Sequence, residues 1–128
     1  ITSIYLPILL KDRIRYFEGP WEQEDNDSAE QANGPLRPNQ TYNGYPDDAK
    51  DYFFIHLNQP GRIVVDLQNY PNIGQLQLFH QSTSNRVAYA TAPPYHLDYT
   101  GAAGTYYIYI ATTSGFNNTT PYLLKVDY

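Results

Sequence analysis

The 128-residue sequence contains no cysteine and no methionine, and its basic residues are few. The absence of cysteine excludes a disulfide framework, a zinc–thiolate site and a cysteine nucleophile. The chain has 8 Lys and Arg but 13 Asp and Glu, so its net charge is −5. No stretch forms the basic stripe that binds a phosphate backbone. The composition therefore argues against a nucleic-acid partner.

Long hydrophobic runs are also missing. The longest, residues 4–10 (IYLPILL), is too short to span a membrane. It lacks the basic leader and the small-residue cleavage site of a signal peptide, and it contains Pro7. We interpret it as an edge strand in a fragment of a longer protein. Residues 1–20 are expected to be an N-terminal strand or linker remnant that packs on one domain, formed by residues 21–128.

Aromatic residues and turn formers are abundant, with 14 Tyr, 5 Phe, 8 Gly and 10 Pro. This composition favours strands and turns over helices. Beyond residue 50, apolar side chains recur at every second position, as in Phe53, Ile55 and Leu57. Only residues 28–32 (SAEQA) have helical character, over a single turn. The alternation predicts strands at residues 51–57, 61–68, 75–80, 86–91, 95–99, 105–112 and 122–128.

With the N-terminal apolar segments, these stretches give eight or nine short strands and no long helix. Short strands separated by Gly- and Pro-rich turns are typical of sandwiches and barrels. We therefore predict an all-β fold, an antiparallel β-sandwich of jelly-roll type.

The acidic residues are concentrated in two stretches. In the first, WEQEDNDSAEQANGP at residues 21–35, an extended chain would place Glu22, Glu24 and Asn26 on one side. Asp27 would join them where the chain turns. The second stretch, residues 47–51 (DDAKD), precedes the first strongly alternating strand.

Several carboxylates with an amide and backbone carbonyls are the oxygen ligands that Ca²⁺ takes. Two carboxylates about 4 Å apart repel by roughly 4 kcal/mol at an effective dielectric near 20, so convergence without a cation would be unfavourable. The alternative is a solvated acidic loop whose members never converge. The stretch is not an EF-hand, because the Asp/Asn alternation and the central Gly of that motif are missing.

The sequence resembles a known bacterial family over residues 20–128. The matching stretches are WEQEDNDSAEQANGP, DDAKDYFFI, GTYYIYI and YLLKV. They resemble the pre-peptidase C-terminal domain, a family that includes the collagen-binding domains of secreted bacterial collagenases. The resemblance implies a β-sandwich that serves as an accessory module of secreted enzymes, often proteases. It also implies calcium held between the N-terminal segment and the sandwich. By position, the implied ligands are Glu22, Glu24, Asn26, Asp27, Asp48 and Asp51, with a backbone carbonyl near Asn43.

Tyrosines are the second group of candidate functional residues. If Tyr106 faces the core, Tyr107 and Tyr109 point outward, and Tyr89, Tyr95 and Tyr99 are predicted to share their surface. Exposed tyrosines offer flat area to sugar rings or to an extended protein. The alternative is that they close the open end of the sandwich.

The resemblance limits one form of this hypothesis. Contact tyrosines of the collagen binders would fall at Tyr89, Ala111 and Thr113, and the last two are not aromatic here. We therefore do not expect collagen binding.

No catalytic constellation is visible. His56, His80 and His96 lie on different predicted strands without the spacing of a metalloprotease, and no serine lies in a nucleophile-elbow motif. We predict a non-enzymatic, calcium-binding accessory module of a secreted bacterial enzyme, monomeric and joined to a neighbouring domain. It would bind an extracellular protein or polysaccharide polymer, or support its neighbour's secretion and stability. The alternative function is that of a carbohydrate-binding module.

Overall fold

The computed structural model describes residues 15–70 and 73–128, which form eight β-strands and one 3₁₀ turn, Ala29–Gln31. The strands are β1 Thr41–Gly44, β2 Lys50–Leu57, β3 Gly61–Gln68, β4 Ile73–His80, β5 Arg86–Ala90, β6 Tyr95–Gly101, β7 Gly104–Ser114 and β8 Tyr122–Asp127. They make two four-stranded sheets, with the orders β1-β8-β3-β6 and β2-β7-β4-β5, and neighbouring strands in each sheet are antiparallel. This is the strand order of a jelly roll. The predicted all-β sandwich is therefore confirmed.

Alternation along the strands builds the core between the two sheets. Phe53 and Ile55 on β2 and Ile108 on β7 are fully buried from one sheet. Val65 on β3 and Leu124 on β8 meet them from the other sheet and are also fully buried. Each such side chain contributes about 1.5–3 kcal/mol when it leaves water. The outward positions between them remain at least partly exposed, so the period of two fixes which residues are available for function.

Strand β1 was not predicted. Thr41–Gly44 lies in a polar, turn-rich part of the sequence, and Tyr42 is its only large buried side chain. The strand forms because Tyr42 pairs with Leu124 of β8, far along the chain. The predicted helical turn at residues 28–32 exists as the shorter 3₁₀ turn.

The segment before β1 covers the open edges of both sheets on one side. Asn43 of β1 donates to the Pro20 carbonyl and accepts from the Glu22 amide at 2.8 Å. On β2, the Tyr52 amide donates to Asn26 O at 2.8 Å, and the Phe54 amide donates to Asn33 O at 2.9 Å. Covered edges cannot pair with another chain.

The structure bears on only part of the expected N-terminal element. Phe17 packs on the core and forms a parallel bridge with Leu36. The predicted edge strand at residues 4–10 lies outside the described residues. The part of the chain that is described includes no helix long and apolar enough to cross a membrane.

Candidate metal site

Four carboxylates from the two acidic stretches converge at one end of the sandwich. Glu24 and Asp27 come from the segment before β1, Asp48 from the β1–β2 loop and Asp51 from β2. One oxygen from each lies within 4.8 Å of the others. Asp25 is exposed and is not part of this group. The two stretches are therefore not independent solvated loops.

Glu22 and Asn26, the other two predicted side chains, lie beside this group. The Glu22 carboxyl lies next to the carboxyls of Glu24 and Asp51. Its Oε1 accepts a hydrogen bond from Asn26 Nδ2 at 3.0 Å, and its Oε2 accepts one from the Tyr45 amide at 2.7 Å. The Asn43 carbonyl accepts a hydrogen bond from the Glu22 amide. This hydrogen bond holds the segment before β1 against β1. We call Glu22, Glu24, Asn26, Asp27, Asp48 and Asp51 the acidic cluster.

Two buried oxygens of the acidic cluster have no hydrogen-bond partner among residues 15–70 and 73–128. Asp51 is 1% exposed; its Oδ2 accepts from the Tyr122 hydroxyl at 2.8 Å, but its Oδ1 accepts nothing. Asn26 is fully buried, and its Oδ1 also lacks a partner. A buried polar atom without a partner destabilises a fold by about 1–3 kcal/mol. A cation among the carboxylates would give Asp51, a member of the converging group, a partner for its free oxygen, so the donor set fits a hard metal ion.

No basic side chain neutralises these carboxylates in the described part of the chain. The ion pairs found there are Arg62–Asp98 and His96–Asp66, both on the other sheet. The acidic cluster thus gathers negative charge without a counter-charge from residues 15–70 or 73–128.

Burial raises the pKa of four carboxyls of the acidic cluster, and repulsion by neighbouring carboxylates adds to the rise in three of them. Burial, followed by the charge of Glu22, raises the pKa of Asp51 to about 10. Burial and then Glu22 and Asp27 raise the pKa of Glu24 to about 7. Burial together with the charges of Glu24 and Asp27 raises the pKa of Asp48 to about 6. Burial also raises the pKa of Glu22. These carboxyls therefore retain protons to unusually high pH unless a cation replaces them.

Two polar residues that contact the acidic cluster were missed. Tyr122 binds Asp51 across 71 positions of sequence, and Asn33 accepts from Asn26 Nδ2 at 3.1 Å. The alternation of β8 indicated that Tyr122 faces the core, but nothing local indicated its partner. Asn33 lies in a turn-rich stretch where no sequence signal distinguishes it.

The predicted tyrosine surface exists in part. Tyr107 and Tyr109 are half-buried on the outer side of the β2-β7-β4-β5 sheet, and Tyr89 on β5 is 55% exposed. The inclusion of Tyr95 and Tyr99 was wrong, because β6 belongs to the other sheet. There Tyr95 is buried in the core and Tyr99 packs against it.

The outer side of this sheet carries further aromatic rings. Tyr52 pairs with Tyr109, and their rings stack with centroids 4.4 Å apart and planes 1° apart. Phe54 lies opposite Tyr107 with a tilted ring contact of 6.3 Å. We call Tyr52, Phe54, Tyr89, Tyr107 and Tyr109 the aromatic face. Because Tyr52 and Tyr109 cover each other, they do not form an open row of coplanar rings.

The histidines do not converge with one another. His56 Nδ1 is 3.0 Å from Thr105 Oγ1, His80 Nε2 is 3.2 Å from the Ala103 carbonyl, and His96 Nδ1 is 2.6 Å from Asp66 Oδ1. Each histidine therefore contacts a partner outside its own strand, Thr105 on β7, Ala103 in the β6–β7 loop or Asp66 on β3, and none lies near another histidine in these contacts.

Comparison with known proteins supports the sequence resemblance at the level of the fold. No protein-family model matches the chain. The pre-peptidase C-terminal domain of collagenase from Bacillus anthracis superposes with a TM-score of 0.59 at 23% identity, covering 70% of this chain and 90% of that one. PliG from Aeromonas hydrophila, a periplasmic inhibitor of g-type lysozyme, superposes with a TM-score of 0.53 at 11% identity, covering 69% and 82%. The predicted similarity to the pre-peptidase C-terminal domain is confirmed: this chain has that domain's sandwich fold.

Proposed function

We propose that this chain is a non-catalytic, calcium-binding β-sandwich that serves as an accessory module of a secreted bacterial enzyme. One observation carries the calcium assignment. Beside a group of converging carboxylates, the buried oxygens Asp51 Oδ1 and Asn26 Oδ1 find no hydrogen-bond partner in the part of the chain that the structure describes. A solvated acidic loop would leave its oxygens to water, whereas these two are shut away from it.

Calcium fits this donor set better than magnesium. Ca²⁺ accepts six to eight oxygen ligands in flexible geometry, while Mg²⁺ requires a near-ideal octahedron and retains several waters. The acidic cluster offers five carboxylates and one amide from three neighbouring chain segments. When bound, the ion would supply the positive charge that these groups lack, and it would join the segment before β1 to the start of β2.

The accessory role is supported by the fold and by the absence of a catalytic arrangement in the described residues. The similar collagenase domain is one part of a larger enzyme by its description. The carboxylates of this chain crowd into one site instead of facing each other across a cleft, as a glycosidase pair would. We therefore expect residues 21–128 to act as a monomeric unit that supports a neighbouring domain outside the cell.

The aromatic face favours a polymer-binding role for the same module. Its rings lie on one side of one sheet, and Arg86 lies over the Tyr89 ring at 4.1 Å. Sugar-binding platforms present open ring faces, whereas in the Tyr52–Tyr109 stack each ring covers one face of the other. This arrangement favours an extended polypeptide over a polysaccharide as the partner.

Isothermal titration calorimetry on metal-free protein tests the calcium proposal. We expect saturable binding of Ca²⁺ at millimolar concentration or below, and markedly weaker binding of Mg²⁺. The absence of a heat of Ca²⁺ binding to folded protein would overturn the proposal.

A further inference from the structure

We infer that Tyr122 and Asn33 are positioning residues for the calcium site. Tyr122 orients the Asp51 carboxyl and Asn33 orients the Asn26 amide, so that Oδ1 of each side chain is available to the ion. This inference rests on the proposed function and deepens it. Neither residue carries a charge, and neither belongs to the acidic cluster. Their hydrogen bonds engage Asp51 Oδ2 and Asn26 Nδ2, and the remaining oxygen of each ligand has no partner within the described residues.

Tyr122 fixes Asp51 from the opposite sheet. Tyr122 begins β8 and is fully buried, and its hydroxyl donates to Asp51 Oδ2 on β2 at 2.8 Å. One carboxylate oxygen is therefore engaged, and the other, Oδ1, has no partner from residues 15–70 or 73–128. A buried phenol has few rotamers available, so the carboxyl is held in one orientation before any ion arrives.

The neutrality of the donor matters for the site. A Lys or Arg in this place would also orient the carboxylate, but it would supply the positive charge itself and compete with a metal ion. The Tyr122 hydroxyl gives one hydrogen bond and leaves the negative charge of Asp51 available. Most buried charges in proteins are paired with an opposite charge, and Asp51 has none in the described part of the chain.

The backbone at Gly44 permits this arrangement. A Cβ at Gly44 would collide with the Tyr122 hydroxyl and with Glu22 Oε2. Gly44 also pairs with Tyr122 in the β1–β8 ladder. The absence of a side chain there lets the phenol and the Glu22 carboxyl approach the same point of the site.

Asn33 plays the corresponding role for Asn26. Its Oδ1 accepts from the Gln23 amide at 2.9 Å and from Asn26 Nδ2 at 3.1 Å, and its Nδ2 donates to the Gln23 carbonyl at 3.0 Å. The Asn26 amide nitrogen is thus taken by Asn33 and Glu22, which fixes the orientation of the amide. The oxygen that remains, Asn26 Oδ1, is the unpartnered one.

The test compares Tyr122→Phe with Tyr106→Phe. Tyr106 is a matched control because it is also fully buried and its hydroxyl makes one hydrogen bond, to the Ala102 carbonyl at 2.7 Å, away from the acidic cluster. Calcium affinity is measured by calorimetry on each folded variant, together with the calcium-induced rise in melting temperature. We expect Tyr122→Phe to bind calcium about 10–100-fold more weakly and Tyr106→Phe to bind like the wild type.

Asn33→Ala is measured in the same way, and it tests the positioning role if Tyr122→Phe does not fold. A purely structural role would lower the melting temperature of a variant equally with and without calcium and leave its affinity unchanged. That result for both site variants would overturn the inference. A wild-type protein that fails to bind calcium would instead overturn the proposed function, so the two failures are distinguishable.

Discussion

Asp51 is the residue at which burial and charge conflict most strongly. It is 1% exposed, and burial with the charge of Glu22 raises its pKa to about 10. Without a cation, the carboxyl therefore holds a proton at neutral pH and resembles an asparagine amide in charge and shape. With a cation it can ionise, because the ion takes the place of the proton.

Asp51→Asn should separate ion binding from folding. The amide can still accept the Tyr122 hydroxyl, so we expect a melting temperature close to the wild type's in calcium-free buffer. Calcium affinity should fall roughly 100-fold or more, since removing one partner of a buried charge pair is unfavourable by about 3 kcal/mol. Thermal melts and calorimetry measure the two effects.

Asp25→Asn is the matched control for this substitution. Asp25 lies in the same acidic stretch but is exposed and outside the converging group. It should keep nearly all of the calcium affinity. Equal losses in the two variants would mean that the ligand assignment is wrong and that general negative charge attracts the ion.

The sequence predicted which carboxylates converge better than it predicted which residues hold them in place. Glu24, Asp27, Asp48 and Asp51 stand at positions implied by the family resemblance, and the fold brings one oxygen of each together. Asn33 could not be identified, because its role depends on hydrogen bonds to Gln23 and Asn26 that exist only after the turn has formed.

At the scale of elements, strands with continuous alternation were predictable and strands defined by a partner were not. The observed β3, Gly61–Gln68, has the predicted bounds, because Ile63, Val65 and Leu67 alternate without interruption. Strand β1 has only four residues and one large core side chain. It therefore forms mainly because it pairs with β8.

The β2-β7-β4-β5 sheet is where a polymer interaction can be tested. Tyr89→Ala should weaken binding to an extended polypeptide such as unfolded casein by about fivefold or more, because interface aromatics often contribute over 1 kcal/mol. Soluble cellulose and chitin oligosaccharides should bind more weakly than the polypeptide. Affinity is measured by biolayer interferometry on the immobilised domain.

Phe116→Ala serves as the control for exposure. Phe116 is 50% exposed, close to the 55% of Tyr89, but it lies in the β7–β8 loop outside the aromatic face. Its loss should leave polypeptide binding unchanged. Tight binding of an oligosaccharide that depends on Tyr89 would favour the carbohydrate-binding alternative.

At the scale of the whole molecule, the acidic cluster links the segment before β1 to the sandwich. The segment before β1 runs along the edges of β1 and β2, and the cluster forms between this segment and the start of β2. Backbone hydrogen bonds hold the segment at Asn43, Tyr52 and Phe54. An ion would add a further link at that place. It would stabilise the fold by about 2.7 kcal/mol when free calcium is a hundred times the dissociation constant.

The stability of metal-free protein should therefore depend on pH, and bound calcium should remove that dependence. Without the ion, the folded-state pKa values of Asp48, Glu24 and Asp51 are about 6, 7 and 10, all above their ordinary values near 4. Carboxyls with raised pKa values stabilise the fold fully only below the unfolded pKa, and this contribution is lost as pH rises through the folded values. We expect the melting temperature of metal-free protein to fall steadily between about pH 5 and pH 8.

Saturating calcium should abolish that fall, because the ion stabilises the ionised carboxylates. At pH 7 the melting temperature should then rise by roughly 10 °C, from about 2.7 kcal/mol of linkage in a domain of this size. Scanning calorimetry at several pH values, with metal-free and calcium-containing buffers, measures both effects. Asp98, whose pKa is lowered by Arg62, loses its contribution only at more acidic pH and does not disturb this range. If the melting temperature of metal-free protein instead rises from pH 5 to pH 8, the ionised carboxylates are stabilised by something other than a metal ion.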